Sequence, residues 1–251
     1  MIPKIIHYCW LGEDDYPQLV KNCIASWKKF LPDYEFMLWD KKRFDVNQIE
    51  WVKQAYEVKK FAFAADYIRF YALYNHGGIY LDADVQVLKT FNDLLHAQSF
   101  IGLDSGGSFE AATIGAEKGT EWLKVILDQY TGRTFINESG KYNITPLPIL
   151  MQTCLEGKYG SFETTAPVEA LAQQLTVYPS SYFSPKDCYT KEVVLSDNSY
   201  SIHHYDGHWI EQNTKLVLKD LFHKNFIRLF GKTAHQNLVS SFRSVFNRAA
   251  K

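Results

Sequence analysis

The segment from residue 61 to residue 81 constrains the fold of this chain more than any other. Residues 61–75 are rich in alanine and large apolar side chains, a pattern that predicts a buried helix. Gly77 and Gly78 follow, and glycine at this position is typical of a helix C-terminus. Residues 79–81 then form a short apolar run that predicts a buried strand. A helix that passes directly into a buried strand indicates a sheet covered by helices.

The rest of the sequence extends this pattern into an α/β fold. Apolar runs and alternation predict further strands at residues 2–10, 34–39, 99–103 and 111–116, with 85–88 continuing the strand at 79–81. Helical spacing of apolar residues predicts further helices at residues 17–30, 44–60 and 120–130. Strands that alternate with helices favour a mostly parallel central sheet, and the length of 251 residues suits one main domain.

Composition excludes several classes of protein. The formal net charge is −1, so the chain lacks the net positive charge that is typical of nucleic-acid-binding proteins. The four cysteines are widely spaced and form no CxxC pair, so neither a zinc site nor a disulfide framework is indicated. The first residues lack the apolar core of a signal peptide, and the most apolar window, 61–74, is too short to span a bilayer. We therefore expect a cytoplasmic protein that is not integral to a membrane.

Two carboxylates follow the apolar strand at residues 79–81. In an extended chain, Asp82 and Asp84 would face the same side, about 6.6 Å apart along the strand. Two unpaired carboxylates at the end of a buried strand are costly, and a divalent cation beside them removes that cost. Oxygen ligands suit Mg²⁺ or Mn²⁺, especially when a diphosphate completes the coordination. The alternative is that this Asp-x-Asp is only a polar loop.

A second pair of charged residues lies in the preceding helix. Asp66 and Arg69 are three positions apart and therefore share one helix face. Their neighbours Ala62, Ala65 and Ile68 are small or apolar, which favours a buried functional pair over a surface ion pair.

Together these residues resemble a known family of enzymes. The stretch Phe63-Ala64-Ala65-Asp66-Tyr67-Ile68-Arg69, followed by Gly77-Gly78-Ile79-Tyr80-Leu81-Asp82-Ala83-Asp84, is similar to the DXD sugar-binding-region transferases, glycosyltransferase family 32. This family includes bacterial capsule and lipopolysaccharide sugar transferases and is related to the glucosyltransferase domains of clostridial toxins. The opening at residues 2–10 resembles it as well, and the similarity returns near residues 202–209.

The resemblance implies a GT-A fold, a nucleotide-diphosphate sugar donor, Mn²⁺ or Mg²⁺, and transfer with retention of configuration. It implies a UDP-sugar as the favoured donor and a glycan acceptor on a lipid carrier, as in capsule or lipopolysaccharide synthesis. It also implies a role for each matching residue, with Asp82, Asp84 and Arg69 as the catalytic set. Donor binding would involve Trp10 on the base, Asp66 and Arg69 on the sugar and phosphate side, Tyr80, Asp82 and Trp209. Metal binding would involve Asp84, Asp82 and His204.

The sequence departs from the family pattern at three places, one of which is residues 109–115, where an asparagine is often found in the family and none is present here. Ala65 replaces the serine that often precedes the helix aspartate. The C-terminal motif, which commonly ends Ser-Trp, here ends His208-Trp209, so the metal-binding histidine could be His203, His204 or His208.

Two other functions are compatible with an Asp-x-Asp motif after a strand. A phosphohydrolase of the haloacid dehalogenase type also places Asp-x-Asp after a strand, but it usually has Thr or Val where this chain has Gln86. It also carries a later acidic pair, whereas Asp14-Asp15 lies upstream here. The other alternative is a non-catalytic glycan-binding protein.

The last part of the chain differs in charge from the rest. Residues 215–251 contain eight basic residues and one acidic residue, a charge of +7, whereas residues 1–214 carry 19 basic and 27 acidic residues, a charge of −8. Leucine and phenylalanine recur four apart at Leu218, Phe222, Phe226 and Phe230. We therefore divide the chain into a catalytic domain, 1–214, and a basic amphipathic helical tail, 215–251. The tail suits peripheral contact with an anionic membrane at the inner face; the alternative is that it packs on the domain.

Overall fold

The computed structural model describes residues 1–159, 168–170, 174–207, 222–223, 225–231, 234 and 238. The strands in chain order are β1 Ile5–Cys9, β2 Glu35–Trp39, β3 Gly78–Leu81, β4 Val85–Val87, β5 Ser99–Leu103, β6 Phe109–Ala116, β7 Val168–Ala170, β8 Leu175–Tyr178 and β9 Ser201–His203. The α-helices are α1 Gln18–Phe30, α2 Glu50–Glu57, α3 Phe61–His76, α4 Glu121–Asp128, α5 Leu147–Tyr159 and α6 Ser180–Phe183, with a short 3-10 helix at Asn92–Leu94.

Within the described residues, seven strands form a central sheet in the order β2-β1-β3-β6-β5-β8-β7. Strand β1 runs parallel to both β2 and β3, and β5 runs parallel to β8. Strand β6 is antiparallel to its neighbours β3 and β5, and β7 is antiparallel to β8. Five of the seven strands therefore point the same way, which confirms the predicted α/β fold with a mostly parallel sheet.

Strand β4 is not a continuation of β3, and here the sequence prediction is wrong. The backbone N–H of Val85 donates to the carbonyl oxygen of Asp82 at 3.0 Å, so the chain turns between the two strands. Strand β4 then pairs with β9 in a separate antiparallel sheet of two strands. The reversal brings the chain near residue 203 next to the acidic pair.

Apolar residues fill both faces of the central sheet. Helices α2, α3 and α4 cover one face with a core that contains Trp51, Phe70 and Trp122. Helix α1 belongs to a second core, where the indole of buried Trp27 donates to the carbonyl oxygen of Val85 at 2.7 Å. This bond ties α1 to the strand that follows the acidic pair.

The junction between α3 and β3 requires its two glycines. Gly77 has φ +69° and Gly78 has φ +112°, and side chains rarely tolerate either conformation. A Cβ at Gly78 would also lie 2.6 Å from the carbonyl oxygen of Ile5 on β1. The glycines therefore allow the helix to end where the sequence predicts, and they allow β3 to enter the sheet directly beside β1.

The predicted helix at residues 44–60 is shorter in the structure, where α2 begins at Glu50. Side-chain oxygens explain the difference: Oδ1 of Asp40 accepts the backbone N–H of Lys42, and Oδ1 of Asp45 accepts that of Asn47, both at 3.0 Å. Such bonds stabilise turns at the expense of helix.

Only part of the C-terminal tail is described. Residues 225–231 are helical, while the proposed boundary at residue 214 lies outside the described residues. No helix in the described part of the chain is both long enough and apolar enough to cross a bilayer.

Candidate active site

The candidate site lies where β1 and β3 end. These neighbouring strands are parallel, so their C-terminal ends share one edge of the sheet, the edge at which α/β sheets bind ligands. Trp10 directly follows β1, and Asp82 directly follows β3. The Trp10 ring is partly exposed, packs edge-on against Tyr16 with centroids 5.0 Å apart, and donates its Nε1–H to the carbonyl oxygen of Asp14 at 3.1 Å.

Arg69 joins helix α3 to this edge. Its buried guanidinium places Nη2 at 3.1 Å from Oδ1 of Asp66 and 3.3 Å from Oδ1 of Asp82, and Nη1 donates to the carbonyl oxygen of Ala111 at 2.7 Å. The guanidinium carbon also lies 4.8 Å from the centre of the Tyr80 ring. One cation therefore orients residues from α3, β3 and β6.

Burial disfavours the charged forms of Asp66 and Asp82, the two carboxylates that contact Arg69. Burial raises the pKa of Asp66 to about 6, and the positive charge of Arg69 opposes the shift. Burial also raises the pKa of Asp82, again against Arg69. The hydroxyl of Tyr80 donates to Oδ1 of Asp82 at 3.0 Å. The site therefore holds more negative charge than the guanidinium alone balances.

Asp84 has different surroundings. Its Oδ2 accepts the backbone N–H of Asp206 at 2.9 Å, and its Oδ1 lies 3.4 Å from Nε2 of His203. Burial raises the pKa of Asp84, but the contact with His203 outweighs it and lowers the pKa to about 2. Burial likewise lowers the pKa of His203, but the nearby carboxylates of Glu110 and Asp84 raise it well above the ordinary value.

Asp82, Asp84 and His203 together form a candidate metal centre. Each offers a ligand atom, and the three atoms lie within 4.8 Å of one another. Two carboxylate oxygens and an imidazole nitrogen suit Mn²⁺, while the oxygens alone suit Mg²⁺. A cation would also balance the excess negative charge around Arg69. The residues present therefore fit the divalent ion that the sequence predicts.

His203 and His204 differ in position relative to the acidic pair, and which histidine binds a metal stays a prediction. His204 turns away from the acidic pair, and its Nε2 lies 3.1 Å from Oε1 of Gln86. His203 is the last residue of β9, and its Nε2 lies 3.4 Å from Oδ1 of Asp84, whereas His204 follows the strand.

Two residues that the sequence analysis did not assign complete the site. Glu110 is a buried carboxylate in the mostly apolar strand β6, and its Oε2 lies 3.2 Å from Nδ1 of His203. The hydroxyl of Tyr205 donates to the same Oε2 at 2.7 Å. A lone acidic residue in an apolar strand was the signal for Glu110, whereas Tyr205 carried none.

The structure thus brings Asp66, Arg69, Tyr80, Asp82 and Asp84 together, with Trp10 at the same sheet edge. His208 and Trp209 lie outside the described residues. The catalytic and donor-binding roles of the gathered residues stay predictions.

Comparison with known proteins agrees with this geometry. A family model described as "Glycosyltransferase sugar-binding region containing DXD motif" matches residues 17–101, which include Arg69 and the acidic pair. Inositol phosphoceramide mannosyltransferase 3 of Schizosaccharomyces pombe is 33% identical over 130 residues, covering 50% of this chain and 36% of that protein. Inositol phosphoceramide mannosyltransferase 2 of the same yeast is 22% identical over 87% of this chain and 61% of its own length. The chain therefore spans less than two thirds of either relative.

Among solved structures, the PaToxG glycosyltransferase aligns over 62% of this chain and 69% of its own length, with 20% identity and a TM-score of 0.46. The glycosyltransferase GlyE of Streptococcus pneumoniae aligns over 90% of this chain and 64% of its own length, with 13% identity and a TM-score of 0.37. Residues 17–101, which hold Asp82 and Asp84, are thus similar to the DXD-containing sugar-binding region of glycosyltransferases.

Proposed function

We propose that this protein transfers a hexose from a nucleotide-diphosphate sugar to a glycan acceptor, with retention of configuration and with a divalent cation. The observation that carries the proposal is the convergence of Arg69, Asp82, Asp84 and His203 at the end of β3, inside and beside the region that matches the family. The family match favours transfer over the phosphohydrolase and the non-catalytic alternatives.

The proposed roles follow from position and charge. Asp82, Asp84 and His203 would hold Mn²⁺ or Mg²⁺, which when bound stabilises the negative charge of the departing diphosphate. Trp10, at the end of the neighbouring strand, offers an indole face on which a nucleobase can stack. Arg69 and Tyr80 fix the carboxylate of Asp82 before the donor arrives, so the site needs little rearrangement to bind it.

The donor sugar and the acceptor are the finer parts of the proposal. The matched yeast proteins are named as mannosyltransferases of inositol phosphoceramide, a lipid. We therefore propose a lipid-linked glycan as acceptor, as in the synthesis of surface polysaccharide. Mannose is therefore one candidate sugar, beside the UDP-linked hexose that the family resemblance favours.

A lipid-linked acceptor would suit a protein that lies on a membrane surface. In the helical residues 225–231, Leu229 is 74% exposed and Phe230 is 62% exposed, and Arg228 beside them is exposed too. Exposed apolar residues in a segment with a charge of +7 favour an anionic bilayer, where each basic residue adds about 1 kcal/mol. We propose that the tail holds the enzyme at the inner face of the membrane.

Sedimentation with anionic vesicles tests the location. The full-length protein should pellet with vesicles at low salt and be released at high salt, and Leu229→Ser with Phe230→Ser should weaken binding. Ile144→Ser, which changes an equally exposed residue elsewhere, is the control. A wild-type protein that stays in the supernatant at low salt would rule out the membrane proposal.

A panel of nucleotide sugars tests the transfer. Purified protein with Mn²⁺ is incubated with UDP-glucose, UDP-galactose and GDP-mannose, and release of the nucleoside diphosphate is followed with and without a lipid-linked glycan. We expect slow release from one donor alone and faster release with acceptor. Release of inorganic phosphate from phosphorylated sugars, with no release from any nucleotide sugar, would favour the phosphohydrolase instead.

A further inference from the structure

The carboxylate of Glu110 is held in place from two sides. Its Oε1 accepts the backbone N–H of Ala112 at 3.0 Å, and its Oε2 accepts the hydroxyl of Tyr205 at 2.7 Å. These two bonds leave Glu110 little freedom to act as a nucleophile or a base. They do fix Oε2 at 3.2 Å from Nδ1 of His203.

His203 consequently lies between two carboxylates, one on each ring nitrogen. Nδ1 faces Glu110, and Nε2 faces Oδ1 of Asp84 at 3.4 Å. Histidines that bind a metal through one nitrogen almost always direct the other N–H to a carboxylate, a carbonyl or a water, which fixes the orientation of the ring. Glu110 lies at that outer position, 3.2 Å from Nδ1, which is buried and forms no other hydrogen bond with the described residues, and Nε2 faces the acidic pair.

Tyr205 contacts both Glu110 and His203, and it does so in an unfavourable backbone conformation. Its φ of +52° lies in the left-handed region, which residues other than glycine rarely adopt. In this conformation its ring packs on that of His203, with centroids 4.0 Å apart, while its hydroxyl reaches Glu110. An unfavourable conformation that serves two contacts at one site points to a role for those contacts.

We propose that Glu110 is a positioning residue for the metal centre, and that together with Tyr205 it orients the His203 ring so that Nε2 faces the cation site. The inference rests on the proposed function, because it assumes that Asp82, Asp84 and His203 bind a divalent ion. A purely structural role, in which Glu110 only fastens β6 to the chain after β9, would leave the affinity for metal unchanged.

Titration of the full-length protein with Mn²⁺ alone, followed by the electron paramagnetic resonance signal of free Mn²⁺, separates these roles. For Glu110→Gln we expect the dissociation constant to rise roughly tenfold to a hundredfold, the usual effect of removing such a partner. Tyr205→Phe removes only the hydroxyl and should shift affinity in the same direction by less. Asp104→Asn is the matched control, because Oδ1 of Asp104 accepts the backbone N–H groups of Gly106 and Ser108.

Thermal unfolding in EDTA shows which variants are folded. If Glu110→Gln does not fold, the Mn²⁺ affinity of Tyr205→Phe distinguishes a positioning role from a purely structural one. Affinities of Glu110→Gln and Tyr205→Phe that match the wild type would overturn the inference and leave the proposed metal site intact. A decrease in affinity for Asp104→Asn as large as that for Glu110→Gln would also overturn it, because charge alone would then explain the effect. If the wild-type protein binds no Mn²⁺, the metal site and this inference fail together.

Discussion

Nη2 of Arg69 lies 3.3 Å from Oδ1 of Asp82, so a guanidinium on helix α3 is paired with the first residue after strand β3. The same nitrogen lies 3.1 Å from Asp66, and Nη1 donates to the carbonyl oxygen of Ala111. A planar group with several donors makes these contacts at once, which the single ammonium of lysine cannot do. The geometry of the acidic pair therefore depends on an arginine at this position.

Arg69→Lys should lower kcat/KM by roughly tenfold to a hundredfold, because a hydrogen bond to a charged group contributes about 1.5–3 kcal/mol. Steady-state kinetics with the donor found in the panel would measure the loss. Arg43→Lys, a change at an exposed arginine, is the control and should have no effect. An unchanged kcat/KM in a folded Arg69→Lys protein would show that the several donors of the planar guanidinium are not needed.

His203 and His204 are adjacent, but only the first faces Asp84. We expect His203→Ala to weaken Mn²⁺ binding and to reduce transfer, because it removes a ligand. His204→Ala should leave Mn²⁺ affinity close to that of the wild type. Titration of both variants with Mn²⁺ under the same conditions makes each the control for the other. A larger loss of Mn²⁺ affinity in His204→Ala than in His203→Ala would favour His204 as the metal ligand.

Trp10→Ala should weaken the binding of a nucleoside diphosphate by about 1–3 kcal/mol, the usual contribution of one base-aromatic stack. Calorimetry with UDP and GDP in the presence of Mn²⁺ measures the change. Trp10→Phe keeps an aromatic face and should retain most of the affinity. If Trp10→Ala binds both nucleotides as the wild type does, the indole serves only to pack against Tyr16.

Parts of the site that are formed by residues close in sequence were predicted correctly. Parts that are formed where distant segments meet were not. The strand at residues 79–81, its glycines and the acidic pair after it were predictable, because local spacing determines them. The sharp turn at Asp82 was not, because it depends on the pairing of β4 with β9, more than a hundred residues later. For the same reason the sequence could not separate His203 from His204: the register of that pairing decides which ring faces Asp84.

His7 makes the stability of the fold depend on pH. It is buried, its Nδ1 accepts the Trp39 indole N–H at 3.0 Å, and its Nε2 lies 2.7 Å from the carbonyl oxygen of Gly77. Burial lowers its pKa from 6.5 to about 4, against the hydrogen bond to Gly77. The unfolded chain therefore takes up the proton at a higher pH than the folded one, and stability falls as pH drops from about 6.5 towards 4.

Urea unfolding at pH 7 and pH 5 tests this effect. From pH 7 to pH 5, the free energy of unfolding of the wild type should fall by about 2 kcal/mol more than that of His7→Gln. The glutamine side chain does not titrate in this range. The comparison concerns the change with pH, so a lower overall stability of the variant does not affect it. Equal pH dependence in the two proteins would mean that His7 is not held in the neutral form.

The most direct test of the account is the release of nucleoside diphosphate from the donor sugar by wild-type protein and by Asp84→Asn, each with Mn²⁺ and with EDTA. We predict that EDTA stops the wild type and that excess Mn²⁺ restores it. Asp84→Asn should lose at least about a hundredfold in rate, because charge stabilisation of the leaving group contributes several kcal/mol. Asp197→Asn, at an exposed aspartate, should behave as the wild type does. Full activity of the wild type in EDTA, or of Asp84→Asn in Mn²⁺, would contradict a metal-dependent transfer at this site.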